Sequence, residues 1–229
     1  MEPMQMETNT MEKMMLRRAS AAQRPINGSL ELLPLCNMNC DMCYVRLSAR
    51  ETEAKGGLHT ADEWIGLGRE MQKDGVLFLL LTGGEPLLFP DFQKLYVELR
   101  QMGMILTVNT NGTLLDEGWA DFFGRYKPRR INITLYGADD SAYEKLCHYP
   151  GGFEKAKNAI RLLKDRGVDV KINGSVTRTN RNDMEKIYAI GRELEAPVHM
   201  DTYMLPRLHE RRRPFEAQAR LMPAEAAAA

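Results

Sequence analysis

Short apolar runs alternate along this chain with longer stretches whose apolar residues recur every three or four positions, and the alternation repeats six times between Ser29 and Tyr203. The runs predict strands at Ser29–Leu35, Val76–Thr82, Met104–Thr110, Arg130–Leu135, Val168–Val176 and Val198–Tyr203, each short and rich in Leu, Val, Ile or Thr. The amphipathic stretches predict helices at Ala61–Lys73, Asp91–Met102, Asp116–Arg125, Phe153–Arg166 and Asn182–Leu194, with a shorter helical turn at Asp140–Leu146. Thr60 and Asp139 stand where a helix needs an N-terminal cap, and Gly75, Gly103 and Gly167 where one ends on a left-handed residue.

Strands alternating with helices build a parallel sheet. The largely apolar runs predict strands buried on both faces. Six units are too few to close an eight-stranded barrel, so the expected fold is α/β, an open (β/α)6 partial barrel. In such folds the chemistry sits at the carboxyl ends of the strands, in the loops that lead into the helices.

At 229 residues the chain can bury one large core, and no Pro/Gly/Ser-rich linker divides it. Residues 1–28 are expected to be a flexible leader, because five of the 15 methionines fall in the first 14 positions among charged residues. Residues 29–205 are expected to form the core and 206–229 a linker-like tail. Lys+Arg 31 balance Asp+Glu 31, so net charge shows no nucleic-acid or membrane footprint. No 18-residue apolar stretch offers a membrane span. The opening segment lacks a secretory apolar run, so the expected compartment is the reducing cytoplasm and the expected cysteines are free thiols.

The densest chemistry follows the first predicted strand, where Cys36, Cys40 and Cys43 fall within eight residues. C-x3-C-x2-C puts three thiols on one tight loop, which suits iron–sulfur ligation and leaves zinc one ligand short. Zinc remains the competing reading, with Cys147 as a fourth thiolate, although Cys147 is remote in sequence and has only His148 beside it. After the second strand comes Gly83-Gly84-Glu85-Pro86, where the glycines permit close approach to a ligand and Glu85 offers a carboxylate to a cation. Asn109-Thr110-Asn111-Gly112 ends the third strand, and Ile133-Thr134-Leu135-Tyr136-Gly137 ends the fourth. Asn173, Ser175 and Thr177 could line the same cavity, although polar residues at a strand end are more often structural.

The cysteine spacing, joined to Gly-Gly-Glu-Pro in the next unit, resembles the radical SAM superfamily from about Ser29 onward. The resemblance implies a (β/α)6 partial barrel, a [4Fe–4S] cluster held by Cys36, Cys40 and Cys43, and S-adenosylmethionine (SAM) chelating the remaining iron. It places Gly83, Gly84, Glu85 and Pro86 at the SAM ammonium, Asn109 and Asn111 along the cofactor site, and the Thr134 hydroxyl at the ribose or carboxylate. Met42 stands where the family often has an aromatic residue whose backbone meets the adenine, and its thioether can still pack there. Tyr44 provides an aromatic wall. The implied chemistry is reductive cleavage of SAM to a 5′-deoxyadenosyl radical that abstracts hydrogen from a substrate, with a one-electron donor such as flavodoxin or ferredoxin. The closing stretch resembles the linker that, in SPASM-type members, precedes a cysteine-rich domain holding auxiliary clusters; here the chain stops. Since that subgroup mostly modifies peptides or proteins, a peptide or protein substrate is the leading reading. An inactive or truncated relative serving as a scaffold, and a zinc-stabilised α/β domain, are the alternatives.

Overall fold

The computed structural model describes residues 10–205 and 219–227. Six strands, β1 (Asn27–Glu31), β2 (Phe78–Thr82), β3 (Ile105–Thr110), β4 (Arg130–Thr134), β5 (Val170–Ser175) and β6 (Val198–Asp201), lie in one sheet in chain order. Every neighbouring pair is parallel. β1 and β6 are the two edges, so the sheet does not close, and the open partial-barrel expectation holds.

The helices are α1 (Thr10–Ala21), α2 (Ala49–Glu53), α3 (Ala61–Asp74), α4 (Phe92–Gln101), α5 (Glu117–Arg125), α6 (Asp140–Cys147), α7 (Gly152–Asp165), α8 (Met184–Glu193) and α9 (Pro223–Ala227). Short 3-10 turns lie at Pro86–Leu88 and Arg181–Asp183. The predicted caps are present. Thr60 and Glu63 form a reciprocal capping box on α3, Asp139 accepts from the Ala142 N–H, and Gly75 takes φ 105° to end α3.

The expectation that both strand faces are buried is corrected by the strands' alternation. Leu79 and Leu81, Leu106 and Val108, Ile131 and Ile133, and Val170 and Ile172 are buried in the core that the helices cover. The residues between them, including Thr107, Asn109, Asn132, Thr134, Lys171, Asn173 and Ser175, point to the opposite, concave face and are only partly covered. An open barrel needs apolar side chains only where helices pack on it, and its lumen is free to be polar.

Three local expectations also shift. The first strand ends at Glu31, because Leu32, Leu33 and Leu35 leave the ladder and pack against the turn after β2. The expected leader contains α1, whose Glu12 carboxylate accepts from Arg129 Nη2 at 2.8 Å, just before β4. In the expected tail, residues 206–218 and 228–229 lie outside the described residues, and Glu225 of α9 pairs with Arg178 at 3.2 Å and Arg181 at 3.4 Å. Among the described residues, no helix is long and apolar enough to cross a membrane.

Candidate cofactor site

Leu32 leaves β1 by donating its N–H to Thr82 O, and the chain then runs beside the turn after β2. Gly84 donates to Leu33 O at 2.7 Å and Glu85 to Leu35 O at 2.9 Å, so the turn is bonded to the segment that ends at Cys36. This contact explains the glycines. Gly83 adopts φ 151°, where a Cβ would come 2.6 Å from Leu33 O, and a Cβ on Gly84 would run into the Leu35 carbonyl. They give close approach, as expected, but to the cysteine-bearing strand extension of this same chain.

Glu85 is completely buried. Its Oε1 accepts from the Thr110 hydroxyl at 2.7 Å and the Leu87 N–H at 3.1 Å, and its Oε2 from the Asn111 N–H at 2.8 Å. Burial raises its pKa to about 7, against the lowering effect of those three donors. The carboxylate therefore ties the tip of β2 to the tip of β3. From there Asn111 reaches the cysteine loop: its Nδ2 lies 3.7 Å from Cys36 Sγ and 2.9 Å from Asn37 Oδ1. Thr113 donates to Asn111 Oδ1 through both its N–H and its hydroxyl, and Asn37 Nδ2 donates to the Thr113 hydroxyl at 2.8 Å. Thr110, Asn37 and Thr113 were not singled out from the sequence, and their signal was proximity in the chain to Asn111 and Cys36.

In the cysteine loop, the Met38 N–H donates to Cys36 Sγ and the Arg46 N–H to Cys43 Sγ, both at 3.4 Å. The Leu47 N–H bonds back to Pro34 O at 3.0 Å and closes the loop. Cys36 and Cys43 are partly exposed and Cys40 is buried. Burial pushes the Cys36 thiol up to about 12, more than the Met38 N–H draws it down. Cys40 makes a thiol–thiol contact with Cys147, which burial also holds in its protonated form. The C-terminal end of α6 supports the loop, with Cys147 O accepting from Asn39 at 3.0 Å and Leu146 O from Asp41 at 2.9 Å. His148, the remaining zinc candidate, pairs with Asp41 at 2.8 Å. Among the described residues, no three His, Cys, Asp or Glu side chains are gathered around one metal-sized point. The donor chemistry fits an iron–sulfur cluster all the same: three thiols share one loop, and N–H groups are aimed at two of the sulfurs, as cluster ligands require.

The other predicted residues are distributed around this centre. Met42 is buried in the loop. The Tyr44 hydroxyl donates to Glu31 at 2.8 Å, and burial followed by that bond pushes its phenol up to about 12. Asn109 and Thr134 lie on the concave face, with Asn109 Oδ1 accepting from Asn132 Nδ2 at 2.7 Å. Tyr136, which the sequence did not single out, is raised by burial and then by the neighbouring sulfurs of Cys40, Cys147, Cys36 and Cys43. Thr177 is buried and structural, since its N–H and hydroxyl both bond Asn180 Oδ1 while Asn180 Nδ2 ties Tyr136 O to Ser175 O.

The family model described as the radical SAM superfamily matches residues 30–189, which run from the end of β1 through β5 and take in every tip described above. This chain belongs to the radical SAM superfamily. Superfamily members use a [4Fe–4S] cluster and SAM. Among curated relatives, the radical SAM chain is 27% identical to an AdoMet-dependent heme synthase of Methanosarcina barkeri, over 77% of this chain and 50% of that protein. It is 26% identical to a PqqA peptide cyclase of Gluconobacter oxydans, over 75% of this chain and 47% of that one. It thus spans about half the length of the curated relatives it matches. Among solved structures, anSMEcpe with bound AdoMet superimposes with TM-score 0.69 at 21% identity, covering 87% of this chain and 56% of that one. Streptococcus suis SuiB bound to precursor peptide SuiA gives TM-score 0.67 at 14% identity, over 87% and 46%. These two likenesses establish the shared fold.

Proposed function

We propose that this chain is the core of a radical SAM enzyme acting on a peptide or protein, with Cys36, Cys40 and Cys43 as cluster ligands. In this reading Gly83, Gly84, Glu85, Pro86, Asn109, Asn111, Thr134 and Met42 form the SAM site. The observation that carries it is the junction of three strand tips. The Glu85 carboxylate fixes the Asn111 backbone, and the Asn111 amide reaches Cys36. A cluster held by Cys36, Cys40 and Cys43 would supply the one-electron reduction of SAM from which hydrogen abstraction from the substrate would follow.

The chain's own groups prepare that chemistry. Donors from Met38, Arg46 and Asn111 favour thiolates in the loop, and loss of the Cys36 proton accompanies metal binding. Glu85 places a carboxyl group beneath the turn proposed to meet the SAM ammonium, and a cation bound there would draw it toward its ionised form. The polar concave face leaves room for a substrate beside SAM, and the buried loop residues Met38 and Met42 keep water from the cluster side. The peptide reading is supported by relatives named as a PqqA peptide cyclase and a sporulation killing factor maturation protein. We place the enzyme in the cytoplasm, where its four thiols stay reduced, with a flavodoxin or ferredoxin as electron donor.

The test is an anaerobic assay of the reconstituted 229-residue chain with SAM and dithionite, following 5′-deoxyadenosine by chromatography. The expected result is 5′-deoxyadenosine formation that requires both dithionite and the cluster. A fully clustered sample that forms no 5′-deoxyadenosine overturns the proposal.

A further inference from the structure

The concave face carries a cation that the cofactor site does not use. Lys171, on β5, is partly covered, and among the described residues no hydrogen bond or ion pair engages its ammonium. Burial, and then the neighbouring Arg130 charge, draw its pKa down. Arg130 itself is paired with Asp169 through Nε at 2.8 Å and Nη2 at 2.7 Å, so that carboxylate is already engaged.

Two acceptors share the face of the sheet with Lys171 at neighbouring positions. Asn132 is the register partner of Lys171 on β4, and Asn173 stands two residues further along β5 on the same face. The Oδ1 atoms of both are buried and have no hydrogen-bond partner among the described residues. The Asn132 amide is oriented by its Nδ2 bond to Asn109 Oδ1 at 2.7 Å, which leaves Oδ1 as the free acceptor. Buried carbonyl oxygens without donors are costly, as is a half-buried cation without a counter-charge. Three adjacent groups thus lack partners, and the ligand that satisfies them brings an anion together with N–H donors. A bare phosphate would answer the lysine but turn lone pairs toward both amide oxygens. A peptide carboxylate flanked by backbone N–H groups answers all three.

We propose that Lys171, Asn132 and Asn173 form an anchoring subsite on the concave face for a carboxylate of the peptide substrate. The subsite rests on the peptide reading above and goes further by naming the chemical feature recognised. The test uses the full chain with isotope-labelled lysine, following the Lys171 side-chain resonance by NMR after assigning it with Lys171→Gln. The probes are acetyl-glycyl-glutamyl-amide, its neutral glutaminyl isostere, and glutarate, an anion without N–H groups. The glutamyl peptide should shift the Lys171 signal and bind about tenfold more tightly than the glutaminyl one, as expected for a hydrogen bond to a charged group. Lys171→Gln should erase that preference, Lys171→Arg should retain part of it, and 5′-deoxyadenosine formation without peptide should be unchanged in both. If glutarate binds as tightly as the glutamyl peptide, the peptide class falls. If the two peptides bind equally without moving Lys171, the subsite is wrong while the peptide reading survives. If no probe moves Lys171, the subsite is overturned.

Discussion

Glu85→Gln isolates the buried carboxylate on which the three-tip junction turns. The side chain is fully buried and accepts three hydrogen bonds, yet burial dominates and raises its pKa from 4.5 to about 7. A carboxyl whose folded pKa is raised favours the protonated form. Its contribution to stability is fully present below about pH 4.5 and is lost as pH climbs through about 7. A rise of roughly 2.5, at about 1.36 kcal/mol for each pKa unit, makes about 3 kcal/mol. The glutamine amide copies the protonated carboxyl's shape and lack of charge, but its nitrogen cannot accept, so the Leu87 or Asn111 N–H loses its acceptor. The variant therefore starts below the parent near pH 4.5 by an amount that does not change with pH, while it keeps its own stability to pH 8. Urea unfolding of both proteins across this range cancels the other titrating groups. With a slope of about 3 kcal/mol per molar urea, the gap between midpoints should move by about 1 M in favour of the variant. A gap that stays constant with pH, or moves the other way, would refute the argument that burial outweighs the donors at Glu85.

Gly84→Ala forces a methyl into the Leu35 carbonyl, a backbone atom that cannot step aside, so soluble yield and melting temperature should both fall sharply; near-parental stability would show that the turn can move. Asn111→Ala removes the bonds to Cys36 and Asn37 and strands the Thr113 donors, and should cost about 1–3 kcal/mol by denaturant titration. Cys147→Ala should leave iron content unchanged while costing about 1 kcal/mol for the lost buried sulfur; a loss of iron would make Cys147 a ligand.

Much of this arrangement was legible because local signals agreed with the fold. Strand existence and order followed from runs such as Leu79–Thr82 and Ile131–Thr134, and α3 was bounded by the Thr60 cap and Gly75. The cysteine spacing and Gly-Gly-Glu-Pro named the first two tips. Where the reading failed, tertiary contacts had overridden local pattern. The apolar Leu32–Leu35 continues the first strand on paper, but Leu33 and Leu35 lie against the β2 turn and not in the ladder. α1 was invisible in a Met-rich, charged segment because its anchoring partner, Arg129, lies more than a hundred residues away. The glycines have a second role that the sequence hides, because the atoms a Cβ would meet belong to Leu33 and Leu35. Nor can a sequence show that Asn132, Lys171 and Asn173 adjoin, since two strands and their register bring them together.

The central claim is that three cysteines of one loop hold a single cubane cluster, and metal content tests it most directly. Anaerobically reconstituted chain should carry about four irons with matching sulfide and a broad visible absorption band. The Cys36→Ala, Cys40→Ala, Cys43→Ala triple variant should carry none. Full iron retained in the triple variant, or stoichiometric zinc in place of iron in the parent, would contradict the account.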